Sequence, residues 1–131
     1  MKDYIKIGLE KGYISLNEDM SRITYLFQNN KEYAYNKPDD KVQAETVLRL
    51  ILDYNYPARR IKQFVQVTMG REVKEADIIV YEDDACIRPH ILVECKREEV
   101  SEAEYQQAIE QAYSYAFALP CDIKYVWVTS G

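Results

Sequence analysis

Ala76-Asp77-Ile78-Ile79-Val80-Tyr81, a polar connection over residues 82–90, and Ile91-Leu92-Val93-Glu94-Cys95-Lys96 form the stretch whose reading decides the fold. Two apolar runs rich in Ile and Val, bounded by charged residues, have the length and composition of buried strands, and the connection EDDACIRPH makes them a hairpin. Asp77 opens the first strand. Glu94 and Lys96 close the second at i and i+2, so their side chains leave one face while Cys95 points to the other. A hydrophobic core requires no aspartate, glutamate and lysine at the ends of adjacent strands. Their presence points to chemistry.

Working outward, the residues downstream give the firmest local signal. Ser101-x-x-Glu104 is a capping box that starts a helix near residue 102. Tyr105, Ala108, Ile109, Ala112, Ala116 and Leu119 follow at helical spacing, and Pro120 stops the helix. Lys124-Tyr125-Val126-Trp127-Val128-Thr129 reads as a last buried strand. Upstream, alternation over residues 61–67 predicts another strand, with Gly70 in the turn that follows. Pro38-Asp39-Asp40 offers an N-cap aspartate to an earlier helix, whose apolar face is Val42, Val47, Leu48, Ile51 and Leu52 and which Tyr56-Pro57 ends. The order is therefore α-β-β-β-α-β, an α/β fold with helices flanking a central mixed sheet. Residues 1–37 carry weaker signals and read as an N-terminal arm with short strands or a helix, packed on a domain of residues 38–131 or extended from it.

The totals fit a single globular domain. The chain has 131 residues, 47% apolar and 30% charged, with four Gly and four Pro, which excludes low-complexity and collagen-like classes. No apolar run approaches the roughly 18 residues of a membrane span, and MKDYIKIGLEKGY lacks the apolar core of a signal peptide, so the cytoplasm is the expected compartment. Cys86, Cys95 and Cys121 lack metal-ligand spacing and read as ordinary thiols; His90, at the start of an apolar strand, reads as solvent-facing or hydrogen-bonded. The net charge of −5 does not favour a free-standing nucleic-acid binder. Ser130-Gly131 directly follows a strand, so the domain is expected to belong to a longer polypeptide.

Asp77 and Glu94 supply the hard oxygen ligands that magnesium prefers, and the backbone carbonyl of Cys95 lies between Glu94 and Lys96 as a third oxygen. A phosphodiester is a poor electrophile surrounded by negative charge, so its hydrolysis needs that charge offset and a water activated. Lys96 is suited to stabilising hydroxide or the developing charge. Acid-x-Lys by itself is a weak motif, and it also occurs at Asp39-x-Lys41, Glu72-x-Lys74 and Asp122-x-Lys124. Only Glu94-x-Lys96 ends an apolar strand whose hairpin partner carries an aspartate and which a capped helix follows. The structural alternative is a solvated cross-strand ion pair contributing about 0.2–1 kcal/mol.

Asp77, sixteen intervening residues and Glu94-Cys95-Lys96 resemble the active-site hairpin of the PD-(D/E)xK nuclease superfamily. More narrowly, residues 38–131 resemble the N-terminal nuclease domain of the restriction (R) subunit of type I restriction enzymes. Pro38-Asp39-Asp40-Lys41-Val42 is similar to that family's PEExV helix start, Tyr56-Pro57 to its GYP turn, and Ala76-Asp77-Ile78-Ile79-Val80-Tyr81 to its ADIVVY strand. Val93-Glu94-Cys95-Lys96 matches its VECK strand end, Gln111-Ala112-Tyr113-Ser114-Tyr115 its QxxxY helix motif, and Val128-Thr129-Ser130-Gly131 resembles its LTNG. Ala76 stands in place of the superfamily's proline, Asp39 and Asp40 in place of glutamates, and Gln43 where arginine is usual.

The resemblance implies a restriction-endonuclease-like core and a magnesium-dependent DNA endonuclease, in which Asp77 and Glu94 bind metal and Lys96 is the catalytic lysine. Gln111 and Tyr115, at i and i+4 on one edge of a helix, are implied to orient Lys96 or touch double-stranded DNA. Glu45 is a candidate auxiliary acid, or alternatively a glutamate serving the helix dipole. No Walker-type GxxxxGK[ST] is present, so ATP hydrolysis is expected of a motor domain outside these residues, with modification and specificity subunits as further partners. Two alternatives stand beside this reading. One is a stand-alone restriction or repair nuclease of the same superfamily, and the other a non-catalytic nuclease-like module for DNA binding or assembly.

Overall fold

Alternating side chains in Ile61–Met69 (β4), Glu72–Tyr81 (β5) and Pro89–Cys95 (β6), with Tyr125–Thr129 (β7), build a four-stranded sheet ordered β4-β5-β6-β7. The β4–β5 and β5–β6 pairs are antiparallel and β6–β7 is parallel. The computed structural model describes residues 2–119 and 122–131. Ahead of the sheet come α1 (Tyr4–Lys11), β1 (Ile14–Leu16), β2 (Arg22–Tyr25), β3 (Lys31–Ala34) and α2 (Pro38–Leu52). The parallel crossover from β6 to β7 is made by α3 (Glu102–Ala118). From α2 onward the order is the α-β-β-β-α-β read from the sequence. No described helix is long and apolar enough to cross a membrane.

The two faces of the sheet bury different sets. Ile61, Ile78, Val80, Ile91, Val93 and Cys95 share a core with α2 residues such as Val47 and Leu48, while Ile79, Tyr81 and Leu92 pack with Ala112 and Tyr115 of α3. Along β5 and β6 this is the period-2 alternation of a sheet buried on both faces. Ser101 caps α3 as expected, its Oγ accepting from the Glu104 backbone N–H at 3.2 Å. The stop at Pro120 and the reading of Cys121 lie outside the described residues. Tyr105 fastens α3 to β7, donating its hydroxyl to the Val128 carbonyl at 2.6 Å.

Residues 1–37 hold both a short helix and short strands. Asp3 caps α1 by accepting from Lys6 N–H at 3.1 Å, and Gly12 closes it in the left-handed conformation at φ 78°. Strands β1, β2 and β3 form an antiparallel sheet whose Ile14, Ile23 and Tyr25 join the α2-side core. The α1–α2 approach is close: a Cβ on Gly8 would meet the methyls of Leu48 at 2.8 Å. Besides Val42, Val47, Leu48 and Ile51 of the expected stripe, α2 buries Gln43, Ala44, Thr46 and Leu50, while Leu52 is half-buried.

Two expectations are corrected. The α2 N-cap is Lys37, not an aspartate; Asp40, in the first turn, accepts from the Lys37 and Asn36 backbone N–H groups at 3.0 and 3.2 Å. Pro38 takes the first helical position, where its missing N–H costs nothing. Asp77 lies in the middle of β5 rather than at its start, because β4 and β5 extend to a tight turn at Gly70, φ 64°. That extension exposes Glu72, Val73, Lys74 and Glu75, so no apolar run announces it.

Candidate active site

The ladder between β5 and β6 runs from Tyr81 opposite Pro89, through a register shift before Val80, to its last pair, Ile78 opposite Val93, and there the strands part. A parting ladder leaves backbone N–H groups without cross-strand carbonyls, and a buried N–H needs another acceptor. The two carboxylates provide it reciprocally. Glu94 Oε2 accepts from the Asp77 N–H at 3.2 Å, and Asp77 Oδ2 accepts from the Cys95 N–H at 2.8 Å. Asp77 and Glu94 therefore converge at one fork instead of diverging to opposite faces. Glu94 is only 4% exposed. Burial first, and then its contact with the Asp77 carboxylate, push the Glu94 carboxyl from an ordinary 4.5 up to about 9, while the Lys96 charge opposes the rise.

Phe64 lies across from Asp77 on β4, at φ 53°, a left-handed conformation strained for a bulky residue. The side-chain alternation changes phase at this level. Ile61 belongs to the α2-side core, whereas Val65, Val67 and Ala76 belong to the α3 side. Such distortions re-aim side chains beside functional sites.

Lys96 follows β6 and is held by its backbone N–H donating to the Thr129 carbonyl of β7 at 2.8 Å. Its side chain lines an open cleft of about 430 Å³ against α3, together with Gln107, Gln111 and Ser114. Gln111 donates to the Tyr115 hydroxyl oxygen at 2.5 Å. Tyr115 is buried, and its phenol is raised above the usual range by that burial and by the charges of Glu94 and Asp77. The structure thus joins Asp77 to Glu94, Glu94 to Lys96 and Tyr115 by charge, Lys96 to Gln111 across one cleft, and Gln111 to Tyr115. Cys95 contributes its backbone here; its thiol turns to the α2 side, where burial pushes its pKa up strongly.

Glu45 is not brought to this group. It lies about 200° around α2 from Gln43, whose amide reaches the site, and its charge is felt by Tyr35 of the N-terminal half. His90 is engaged by Glu82, Nδ1 to Oε1 at 3.3 Å, and by the rings of Tyr56 and Tyr125.

Sequence reasoning missed a glutamine relay behind the fork. Gln43 donates to the Asp77 carbonyl at 3.2 Å and to Gln63 Oε1 at 2.8 Å; Gln63 donates to Gln28 Oε1 and Gln28 to the Ile61 carbonyl, both at 3.0 Å. Gln43 and Gln63 are 7% and 6% exposed, so each link replaces a hydrogen bond to water that burial removed. The signal was present: a glutamine stands at an inward position in an apolar helix, and another in the inward register of an alternating strand.

The donor set suits a divalent cation with oxygen chemistry. Two carboxylates meet at the fork, one of them raised by burial and then by its neighbour, costs that a cation would relieve. No group of three or more His, Cys, Asp or Glu placed to hold a metal occurs among the described residues.

No curated protein and no solved structure matches the chain. A family model does, over residues 38–131, from the first turn of α2 through β7 and so across every residue of the fork and cleft. The chain belongs to the family described as the type I restriction enzyme R protein N terminus (HSDR_N).

Proposed function

We propose that this chain is a magnesium-dependent DNA endonuclease module of a type I restriction R subunit, hydrolysing phosphodiesters through a PD-(D/E)xK-type arrangement of Asp77, Glu94 and Lys96. The observation that supports this most directly is the reciprocal hold of Asp77 and Glu94 at the β5–β6 fork, beside a cleft lined by Lys96 and Gln111. Asp77, Glu94 and the Cys95 carbonyl would hold the cation, which when bound supplies charge neutralisation and a more acidic water.

The chain's own residues do the rest. Each carboxylate uses one oxygen to accept a backbone N–H, which fixes its direction and leaves the second oxygen for a ligand. Lys96 presents a positive charge to the attacked phosphate and stabilises the charge that develops on its oxygens. Tyr115, buried and bonded to Gln111, fixes the Gln111 amide along the cleft wall, which restrains the lysine's surroundings. Gln43 steadies the Asp77 backbone from behind. Double-stranded DNA is the substrate. Translocation and ATP hydrolysis fall to a motor domain of the full-length chain, acting with modification and specificity subunits.

Calorimetric titration with magnesium tests the metal site independently of any motor. Wild-type protein should bind, and Asp77→Ala and Glu94→Ala should each abolish binding; unchanged binding in both would remove this reading. Nicking of plasmid DNA should fall roughly 10²–10³-fold in Lys96→Ala, the loss typical of removing one group that stabilises a transition-state charge.

A further inference from the structure

We infer that a second groove, on the far side of β4 from the cleft, holds the phosphate backbone of the DNA, and that the N-terminal sheet forms one of its walls. The groove has a volume of about 380 Å³ and is lined by Lys31, Arg59 and Lys62 together with the rings of Phe27, Tyr33 and Phe64. This inference rests on the nuclease reading for the identity of its ligand.

Three observations carry it. First, the charge is out of character for the chain. The protein is at −5 overall, yet Lys31, Arg59, Arg60 and Lys62 gather here against Asp84, which pairs with Arg59 at 2.9 Å and Arg60 at 2.7 Å, and Glu75, whose charge reaches Tyr33. Lys31 and Lys62 are exposed, and neither lies within ion-pair distance of a carboxylate among the described residues. Unpaired lysines along a groove attract a polyanion.

Second, the groove is built and not merely an open surface. The Tyr33 and Phe64 rings pack at a tilt of 47° with centroids 4.6 Å apart, and Gln28 of the β2–β3 turn clamps that turn onto the edge strand β4 through the Ile61 carbonyl and Gln63. Third, it connects to the backbone of Asp77. Phe64 lies across from Asp77, and Gln63, in the groove wall, bonds to Gln43, which bonds to the Asp77 carbonyl. A strand seated there lies one strand away from the fork. Phe27, Lys31 and Tyr33 precede residue 38, so this half of the groove comes from outside the segment that defines the family.

The test is binding of a fluorescein-labelled 20-base-pair duplex, followed by anisotropy in chelator at several salt concentrations so that no cleavage intervenes. The double variant Lys31→Glu with Lys62→Glu should weaken affinity at least about tenfold and lower the log–log salt slope by about 2, roughly 0.9 per lost phosphate contact. Lys6→Glu with Lys11→Glu, on α1, changes net charge equally and should stay within about twofold of wild type. Melting curves establish that both variants are folded. Equal losses in the two pairs, no loss in the groove pair, or a wild-type chain that binds no duplex at low salt would each overturn the groove. Groove-dependent binding without magnesium-dependent nicking would leave it standing while the nuclease reading fell. Nicking that needs Lys96 but ignores Lys31 and Lys62 would do the reverse.

Discussion

The two faces of the central sheet are made by the same strands yet are organised in opposite ways. The α2 face is closed: Ile61, Ile78, Val80, Ile91 and Val93 meet a helix covered in turn by α1 and the N-terminal sheet. The α3 face is thinner. Small residues of α3, Ala108 and Ala112, bring that helix onto the sheet, and at one end the packing gives way to the carboxylate fork and the Lys96 cleft. The difference shows how alternation divides labour. Successive residues of one strand put apolar groups into a core that holds the backbone still and polar groups where ligands can reach them.

The sharpest way to break this contrast is to empty the closed face. Leu48, fully buried between α1 and the sheet, should destabilise the protein by about 3–5 kcal/mol on replacement by alanine, measured by urea denaturation. Magnesium binding should persist in whatever fraction stays folded. If the N-terminal elements were a dispensable arm, the loss would be far smaller.

Next in size is the relay that joins the faces. Gln43→Leu strips the partner from Gln63 Oε1 and from the Asp77 carbonyl, and should cost about 1–3 kcal/mol. It should also weaken magnesium binding, an effect that a purely structural glutamine would not produce. Gln43→Glu is not a conservative rescue, because it removes the two donors the relay uses.

The open face should reveal itself through pH. Free of metal, the folded protein keeps a proton on Glu94 that the unfolded chain sheds above 4.5, so folding stability should fall as pH rises from about 4.5 towards about 9 and level off beyond. Thermal melts in chelator should show that slope, and Glu94→Gln should flatten it. Magnesium binds the ionised form, so its affinity should strengthen with pH over the same window. A wild-type slope identical to that of Glu94→Gln would show that the burial of Glu94 has no such effect.

The smallest expected effect belongs to Glu45. Placed away from the fork and half-buried on α2, Glu45→Gln should change stability by no more than about 0.5 kcal/mol and leave magnesium affinity as it is. A marked loss of affinity would return Glu45 to the site.

By itself the sequence determined the elements whose signals are local. The Ser101 capping box, the apolar Ile78–Val80 and Ile91–Val93 runs and the Pro38 helix start each depend on neighbours a few residues apart, and each signal lies within or at the start of the element it announced, although β5 begins earlier, at Glu72, and Lys37 caps α2. Motif context selects Glu94-x-Lys96 among four copies of acid-x-Lys as the candidate, a choice that the magnesium titration tests. Tertiary structure decided what depends on distant partners. The exposed arm of β5 has no apolar pattern because it has no core to face. Strands β1 to β3 are short and mix polar with apolar residues, and acquire meaning only once Ile14, Ile23 and Tyr25 find α2. The inward positions of Gln43 and Gln63 hinted at buried amides, but the relay they form with Gln28 depends on the partners that satisfy them, which only the tertiary structure supplies. The convergence of Asp77 and Glu94 likewise belongs to the fork where two strands part, a place set by the register of the whole sheet.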